Sequence, residues 1–216
     1  MKLSVLIFNL AKGMLASFEI FALTLIFSLP LGLFVAFARM SRNKFIRNIT
    51  RIYISIMRGT PLMLQLMMVY YGPFYLFKIQ LAKGYRFIAV IIAFVINYAA
   101  YFAEIYRGGI ESMEVGQYEA AKVLGYTEAQ TFMKIILPQV IKRILPAITN
   151  EVITLIKDTS LAFTISFPEM FTAARGISAA QSSLVPFFVA GLFYYIFNFI
   201  VAFGMEWLEN RLAYYK

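Results

Sequence analysis

Apolar residues in this chain gather into long blocks separated by short basic segments. A membrane helix needs ~20 mainly apolar residues. Five stretches are read as such helices: residues 14–38, 61–77, 87–105, 140–165 and 185–207. The first stops at Arg39, Arg42 and Lys44. It is too long for a signal-peptide core and lacks a small-residue cleavage site, so it is read as a retained span. The second is short and interrupted by Gly72-Pro73, and both it and the fourth contain polar residues. Residues 41–57 are basic and partly amphipathic, which places them along the cytoplasmic interface. Residues 168–183 form a long outer connection rich in small residues, where Pro168 can open a short helix. No Pro/Gly/Ser-rich linker divides the chain and no short internal repeat is visible. The predicted fold is an all-α integral membrane protein of five transmembrane helices, one domain over residues 1–216.

Composition narrows the function. Of 216 residues, 61% are hydrophobic and only 14% charged. A soluble domain carries about 25% charged residues. Water-soluble globular and disordered classes are therefore set aside. There is no Cys and no His. That removes disulfides, thiolate nucleophiles, Cys-ligated metals and the commonest general base. An intramembrane hydrolase finds no recognisable nucleophile arrangement here. No G-x-x-x-x-G-K-[ST] stretch occurs, so the chain brings no phosphate-binding loop of its own.

The net charge of +9 could suggest nucleic acid, but on so apolar a chain Lys and Arg belong to cytoplasmic loops. Thirteen of them fall in the segments after the first span, between the third and fourth, and in the C-terminal tail, which includes Lys216. Six fall on the other side: Lys2, Lys12, Lys78, Lys83, Arg86 and Arg175. Lys157 lies inside a span. With five spans the termini face opposite sides. The bias puts the N-terminus outside and the C-terminus in the cytoplasm.

The loop between the third and fourth spans, residues 114–138, is the most informative segment. It reads Glu119-Ala120-Ala121, three residues, Gly125, nine residues, then Ile135-Ile136-Leu137-Pro138. Ala, Glu, Lys and Leu favour a helix, and Gly125 ends it. Small Ala120 and Ala121 permit close approach of another protein surface. By spacing alone this is equally a surface helix joining two spans.

The pattern resembles the EAA-loop signature of ATP-binding-cassette (ABC) importer permeases, with every signature residue at its spacing. Further segments are similar to the polar amino-acid permease branch. They are Arg58-Gly59-Thr60-Pro61-Leu62 with Gln65, Ala103-Glu104-Ile105-Tyr106-Arg107-Gly108-Gly109-Ile110, Gly116-Gln117, and Lys157-Asp158-Thr159-Ser160-Leu161. The resemblance is strong over residues 58 to 165. It is weaker in the first span, where Ser17-Phe18-Glu19 stands where the family more often has Thr-Leu-Glu. In the fifth span only hydrophobicity matches. The resemblance implies a type I ABC importer permease subunit in a bacterial cytoplasmic (inner) membrane. It implies pairing with a second permease subunit, as homo- or heterodimer, around a translocation path. It also implies cytosolic ABC ATPase subunits that bind ATP and Mg, and an extracytoplasmic amino-acid-binding protein. No cofactor is expected in this chain. The coupling role of the family's EAA loop carries over to Glu119, Ala120, Ala121 and Gly125 only.

Ionisable residues inside spans are functional candidates by default, because an acid at the bilayer centre costs ~2.5–3.5 kcal/mol on insertion scales. Glu151 and Asp158 both lie in the fourth span, seven residues apart and so on nearly one face. Thr154 and Leu155 lie between them on that face, and Asn150 is adjacent. Lys157 can neutralise at most one of the two acids. Glu104 can pair with Arg107, three residues on. That leaves about one acid unpaired, assigned to Glu151. In the third span Asn97, Tyr101 and Glu104 follow one another at i, i+4 and i+7, and Gln65 adds an amide from the second. These groups suit an amino acid's carboxylate and ammonium, or equally helix-to-helix hydrogen bonds. Because the resemblance is to permeases whose members often carry Lys-Asp-Thr-Ser, Asp158 also fits a structural role shared across substrates. The excess of acid points to a basic amino acid such as Arg, Lys or His. A neutral polar one such as Gln is the alternative. An ion-coupled carrier or channel also uses intramembrane acids, but needs no ATPase-docking helix.

Overall fold

α1 spans Leu3–Arg39, 37 residues of almost uniformly apolar side chains. At 1.5 Å per residue this exceeds the ~30 Å of hydrocarbon it must cross. The computed structural model describes residues 2–82 and 84–212. Lys83 and Lys216, both counted in the charge asymmetry, lie outside the described residues. The helix begins eleven residues before the expected start of the first span, at residue 14. The extra turns are held by packing: Leu6 and Leu10 are buried against Met170, Ala174 and Ala190 near the far end of the chain.

α2 (Lys44–Gly59) is the amphipathic segment expected at the interface. The Asn43 side chain caps it by accepting from Phe45 N at 2.9 Å, which satisfies one orphan donor of the first turn. Phe45, Ile49, Ile52 and Ile56 are exposed on it. α3 (Leu62–Phe77) follows after Thr60-Pro61, and the two helix axes meet at 108°. Pro61 lacks an N–H and forces Thr60 out of the helical region, so the bend falls where the sequence requires it. α3 has 16 residues, just below the usual length of a single-helix span.

α4 (Tyr85–Glu111, 27 residues) is the most buried of the long helices and forms the centre of the bundle. Its packing against α1 uses small residues. A Cβ on Gly32 would come within 2.8 Å of the Phe102 Cβ and 3.1 Å of the Ala99 carbonyl oxygen. Ala36, Ala100 and Ala103 continue the same close seam. In lipid there is no hydrophobic drive between helices, so this approach supplies the dispersion energy that holds them.

After α4 the chain makes α5 (Val115–Val123), the short α6 (Glu128–Thr131) and a π-helical turn over Phe132–Ile136. α6 starts with a capping box between Thr127 and Gln130. α7 (Leu137–Asp158) has Pro138 in its first turn, where its missing N–H costs nothing. The expected fourth span, 140–165, does not continue as one helix. It tightens into a 3₁₀ segment over Thr159–Ile165. Thr159, Ser160 and Thr164 each turn a hydroxyl back to a carbonyl three residues earlier, which supports the narrower winding.

α8 (Met170–Gln181) occupies the expected outer connection. Its cap is Glu169 rather than Pro168. The Glu169 carboxylate accepts from Phe171 N at 2.6 Å, Thr172 N at 2.7 Å, Thr172 Oγ1 at 2.7 Å and Tyr194 OH at 3.3 Å. Glu169 is fully buried, and among the acids of this chain sequence reading passed it over. Its role is to tie α8 to α9 (Val185–Leu212), which carries Tyr194. Among the described residues there is no strand. Three helices, α1, α4 and α9, are long and apolar enough to cross a membrane, or four if the bent α2–α3 pair is one span. α7 does not meet that criterion, since it carries Lys142, Arg143, Glu151, Lys157 and Asp158.

Candidate substrate cleft and coupling surface

The bend between α2 and α3, the middle of α4 and the second half of α7 enclose a cleft of about 370 Å³. Its walls are Thr60, Pro61 and Leu62 from the bend, Asn97, Tyr98 and Tyr101 from α4, Glu151, Thr154 and Asp158 from α7, and Leu161 from the 3₁₀ segment. The volume lies within the range of small-molecule sites. Of the seven residues proposed from sequence to touch substrate, five line it: Glu151, Asp158, Thr154, Asn97 and Tyr101.

Gln65 and Asn150 are not in the wall. Gln65 fastens the bend from behind, its Nε2 donating to Thr60 Oγ1 at 2.8 Å and to the Met57 carbonyl at 3.0 Å. Asn97 joins the same knot, donating from Nδ2 to the Met57 carbonyl and to Gln65 Oε1, both at 3.0 Å. Asn97 is only 4% exposed and both its donors are committed. It therefore shapes the cleft more than it offers hydrogens to it. Asn150 is exposed, and its main-chain oxygen accepts from Thr154 Oγ1 at 2.9 Å. Leu155, expected on the acid face, is instead fully buried in the central core.

The two acids differ. Asp158 accepts a 2.7 Å hydrogen bond from Tyr98 OH, and makes no ion pair with Lys157. Glu151 makes no hydrogen bond and no ion pair among the described residues. Glu104 lies outside the cleft wall. It is gripped by Arg107, whose Nε and Nη2 reach its two oxygens at 3.0 and 2.6 Å, as the i, i+3 spacing predicts. Arg39 and Arg58 stand at 3.9 and 3.8 Å from the same carboxylate. The ends of α1 and α2 and the last turns of α4 therefore share one face of the bundle. Glu19 is exposed, and Lys12 lies over the Phe8 ring at 4.5 Å.

On that face α5 presents a second candidate surface. Gly125 follows it with φ +82°, a left-handed conformation that suits glycine. Tyr126 N donates to the Ala121 carbonyl and Gly125 N to the Lys122 carbonyl, both at 3.0 Å. This is the paired hydrogen-bond pattern of a glycine C-terminal cap, and it turns the chain sharply away from the helix. Glu119, Ala120 and Gly125 are exposed. Ala121 is only 1% exposed, so its small size serves the loop's own packing. Val115, Val123 and Leu124 are exposed beside them.

Residues 28–214 match the family described as binding-protein-dependent transport system inner membrane component. This chain belongs to that family. It is an amino-acid ABC transporter permease. The arginine transport system permease protein ArtQ of Bacillus subtilis is 36% identical over 93% of this chain and 91% of its own. A Rickettsia conorii permease provisionally named for glutamine transport is 31% identical over 95% and 94%. A solved structure, an amino acid ABC transporter with histidines, superposes with a TM-score of 0.86 at 32% identity, covering 94% of each chain. Other relatives of the permease are named for cystine, nopaline and octopine.

Sequence reading missed four kinds of residue in the permease. Tyr98 was passed over because the stripe traced along α4 ran through Asn97 and Tyr101, and the cleft is wider than one stripe. Thr60, Pro61 and Leu62 line the cleft only because the chain bends by 108° there. Leu161 enters through the 3₁₀ segment. The exposed apolar residues of α5 stood next to the signature residues but carried no spacing signal of their own.

Proposed function

We propose that this permease subunit carries a basic amino acid, with Glu151 as its main counter-charge and Asp158 as the second. The observation that supports this is the difference between the two acids: Asp158 is satisfied by Tyr98, while Glu151 stands in the cleft wall with no hydrogen bond or ion pair among the described residues. An unpaired carboxylate in a low-dielectric path is costly, and so is an unpaired guanidinium or ammonium. The two liabilities cancel when they meet. A relative named for arginine transport, and a solved amino acid ABC transporter with histidines, agree with that chemistry. A neutral polar substrate is the second reading, favoured by relatives named for glutamine and by the hydroxyls of Tyr101 and Thr154 in the same wall. Uptake of arginine by the reconstituted transporter, challenged with citrulline, separates the two. Citrulline keeps the shape and replaces the guanidinium with a neutral urea. The basic reading expects citrulline to compete about tenfold more weakly or worse, as fits loss of a charge-assisted hydrogen bond. Equal competition supports the neutral reading.

The subunit works within a larger assembly in the bacterial inner membrane. Glu119, Ala120 and Gly125, with the cap that buries Ala121, form the docking surface for a cytosolic ATPase that binds ATP and Mg. A second permease subunit completes the translocation path, and an extracytoplasmic binding protein delivers the substrate. Five spans are proposed, α3 and α7 joining the three long apolar helices, with the N-terminus outside and the C-terminus in the cytoplasm. The gathering of Arg39, Arg58 and Arg107 at one end of the bundle supports this orientation. At the other end Arg86 donates to the Ser166 carbonyl. A membrane-impermeant thiol reagent applied from outside is expected to label Gln80→Cys and not Lys122→Cys. The chain has no native Cys to obscure the result. Labelling in the reverse pattern overturns both the orientation and the docking surface.

A further inference from the structure

Arg58 ends the last turn of α2, two residues before Thr60, where the cleft wall begins. Its guanidinium carbon lies 5.4 Å from the centroid of the Tyr101 ring, and Tyr101 is itself in that wall. Its Nη1 stands 3.8 Å from Glu104 Oε2. That contact is too long for a hydrogen bond. Arg107 already holds both oxygens of Glu104, and Arg39 adds a third guanidinium at 3.9 Å. Arg58 is thus a surplus cation at the edge of the cleft. Its side chain is 44% exposed and has room to move. Glu151 lines the same cleft as Tyr101, the ring on which Arg58 rests.

We propose that Arg58 is a tethered competitor for the substrate's cation: its guanidinium exchanges between the Tyr101–Glu104 position and Glu151, and a positively charged substrate displaces it from Glu151. The inference rests on the basic-amino-acid reading of the cleft. The Tyr101 ring face and the outer side of Glu104 form a resting place that attracts a cation without neutralising it fully. Glu151, which shares the cleft wall with Tyr101, is the second partner within the same site. Competition between the two has a use in a carrier. A substrate held by a carboxylate in a low-dielectric cleft leaves slowly, and a guanidinium waiting beside it speeds release. The same exchange adds selectivity, because a neutral amino acid cannot displace Arg58 from Glu151.

The test is equilibrium binding of L-arginine and of citrulline to the assembled, nucleotide-free transporter, carrying Arg58→Gln, Arg58→Lys, Glu151→Gln or Arg58→Gln with Glu151→Gln. Arg58→Gln is expected to tighten arginine binding about tenfold, the scale of one charge-assisted interaction. It is also expected to lower the maximal rate of arginine transport, since release slows. Arg58→Lys should restore the parent affinity, which a merely structural role for the arginine fork would not allow. Citrulline binding should not move. In the Glu151→Gln background, Arg58→Gln should change nothing. Arg58→Ala gives the same information if the Gln variant fails to assemble. Unchanged or weaker arginine binding in Arg58→Gln overturns the proposal, and so does an equal effect with and without Glu151. A parent transporter that binds citrulline as tightly as arginine overturns the basic-amino-acid reading and the competitor with it. A parent that discriminates, with variants at Arg58 that do nothing, overturns the competitor alone.

Discussion

Glu151→Gln is expected to reduce arginine transport about tenfold or more while leaving the assembled complex intact, on the scale of ~1.5–3 kcal/mol for a hydrogen bond to a charged group. The substitution is nearly isosteric, so it tests charge and not shape. Glu151 makes no hydrogen bond or ion pair among the described residues, so little of the permease's own architecture depends on its charge. Asp158 is a different case. Asp158→Asn also removes a charge, but it disturbs the bond from Tyr98, which joins α4 to α7 at 2.7 Å. A loss of assembly there would report on structure. The informative measurement at Glu151 is the initial rate of labelled arginine uptake into proteoliposomes, with complex recovery as the control. Parental uptake by Glu151→Gln would sink the counter-charge role. Recognition would then rest on Tyr101 and Thr154, and a neutral polar substrate would be the better reading.

Gly125→Asp is expected to abolish coupled transport nearly completely while the membrane helices remain folded. Two effects act in the same direction. The residue sits at φ +82°, where a side chain is strained by of order 1–3 kcal/mol, least for Asn and Asp. Among the described residues a Cβ at Gly125 meets no atom beyond its chain neighbours within 4 Å, so packing there is undisturbed. The strain is therefore modest, and the larger effect belongs to the docked state. A carboxylate on a surface that must close against another protein is buried without a partner, which costs several kcal/mol. Gly125→Asn separates the two contributions, since it keeps the backbone cost and omits the charge. ATPase co-purification and substrate-stimulated ATP hydrolysis are the measurements. Normal association and normal transport in Gly125→Asp would remove the coupling role from this loop.

Different parts of this protein became legible at different levels. The long apolar helices α1, α4 and α9 followed from hydropathy alone, because lipid requires every backbone polar group to be satisfied within the segment. Their lengths did not follow. α1 starts eleven residues early because Leu6 and Leu10 are held by α8 and α9, a contact about 160 residues away in sequence. The polar segments were harder to read. A window of hydropathy sees Val140 to Ile165 as one stretch, yet the chain tightens at Thr159 under local hydroxyl-to-carbonyl bonds.

The candidate site divides along the same line. The amino-acid sequence singled out the candidates: the paired acids seven apart on α7, the Glu104–Arg107 pair and the spacing from Glu119 to Pro138. Each is a local property, set by helical periodicity or by residue type. Tertiary structure decided which of those residues face one another. It placed Asn97 and Gln65 in a knot behind the bend and turned Leu155 into the core. It gave Asp158 to Tyr98, left Glu151 with no hydrogen bond or ion pair among the described residues, and buried Glu169 as a cap. These outcomes depend on the rotation of α4 and α7 about their axes and on the 108° turn between α2 and α3. Helix periodicity fixes a residue's angle relative to its own helix, but only packing against the neighbours fixes that helix's angle in the bundle.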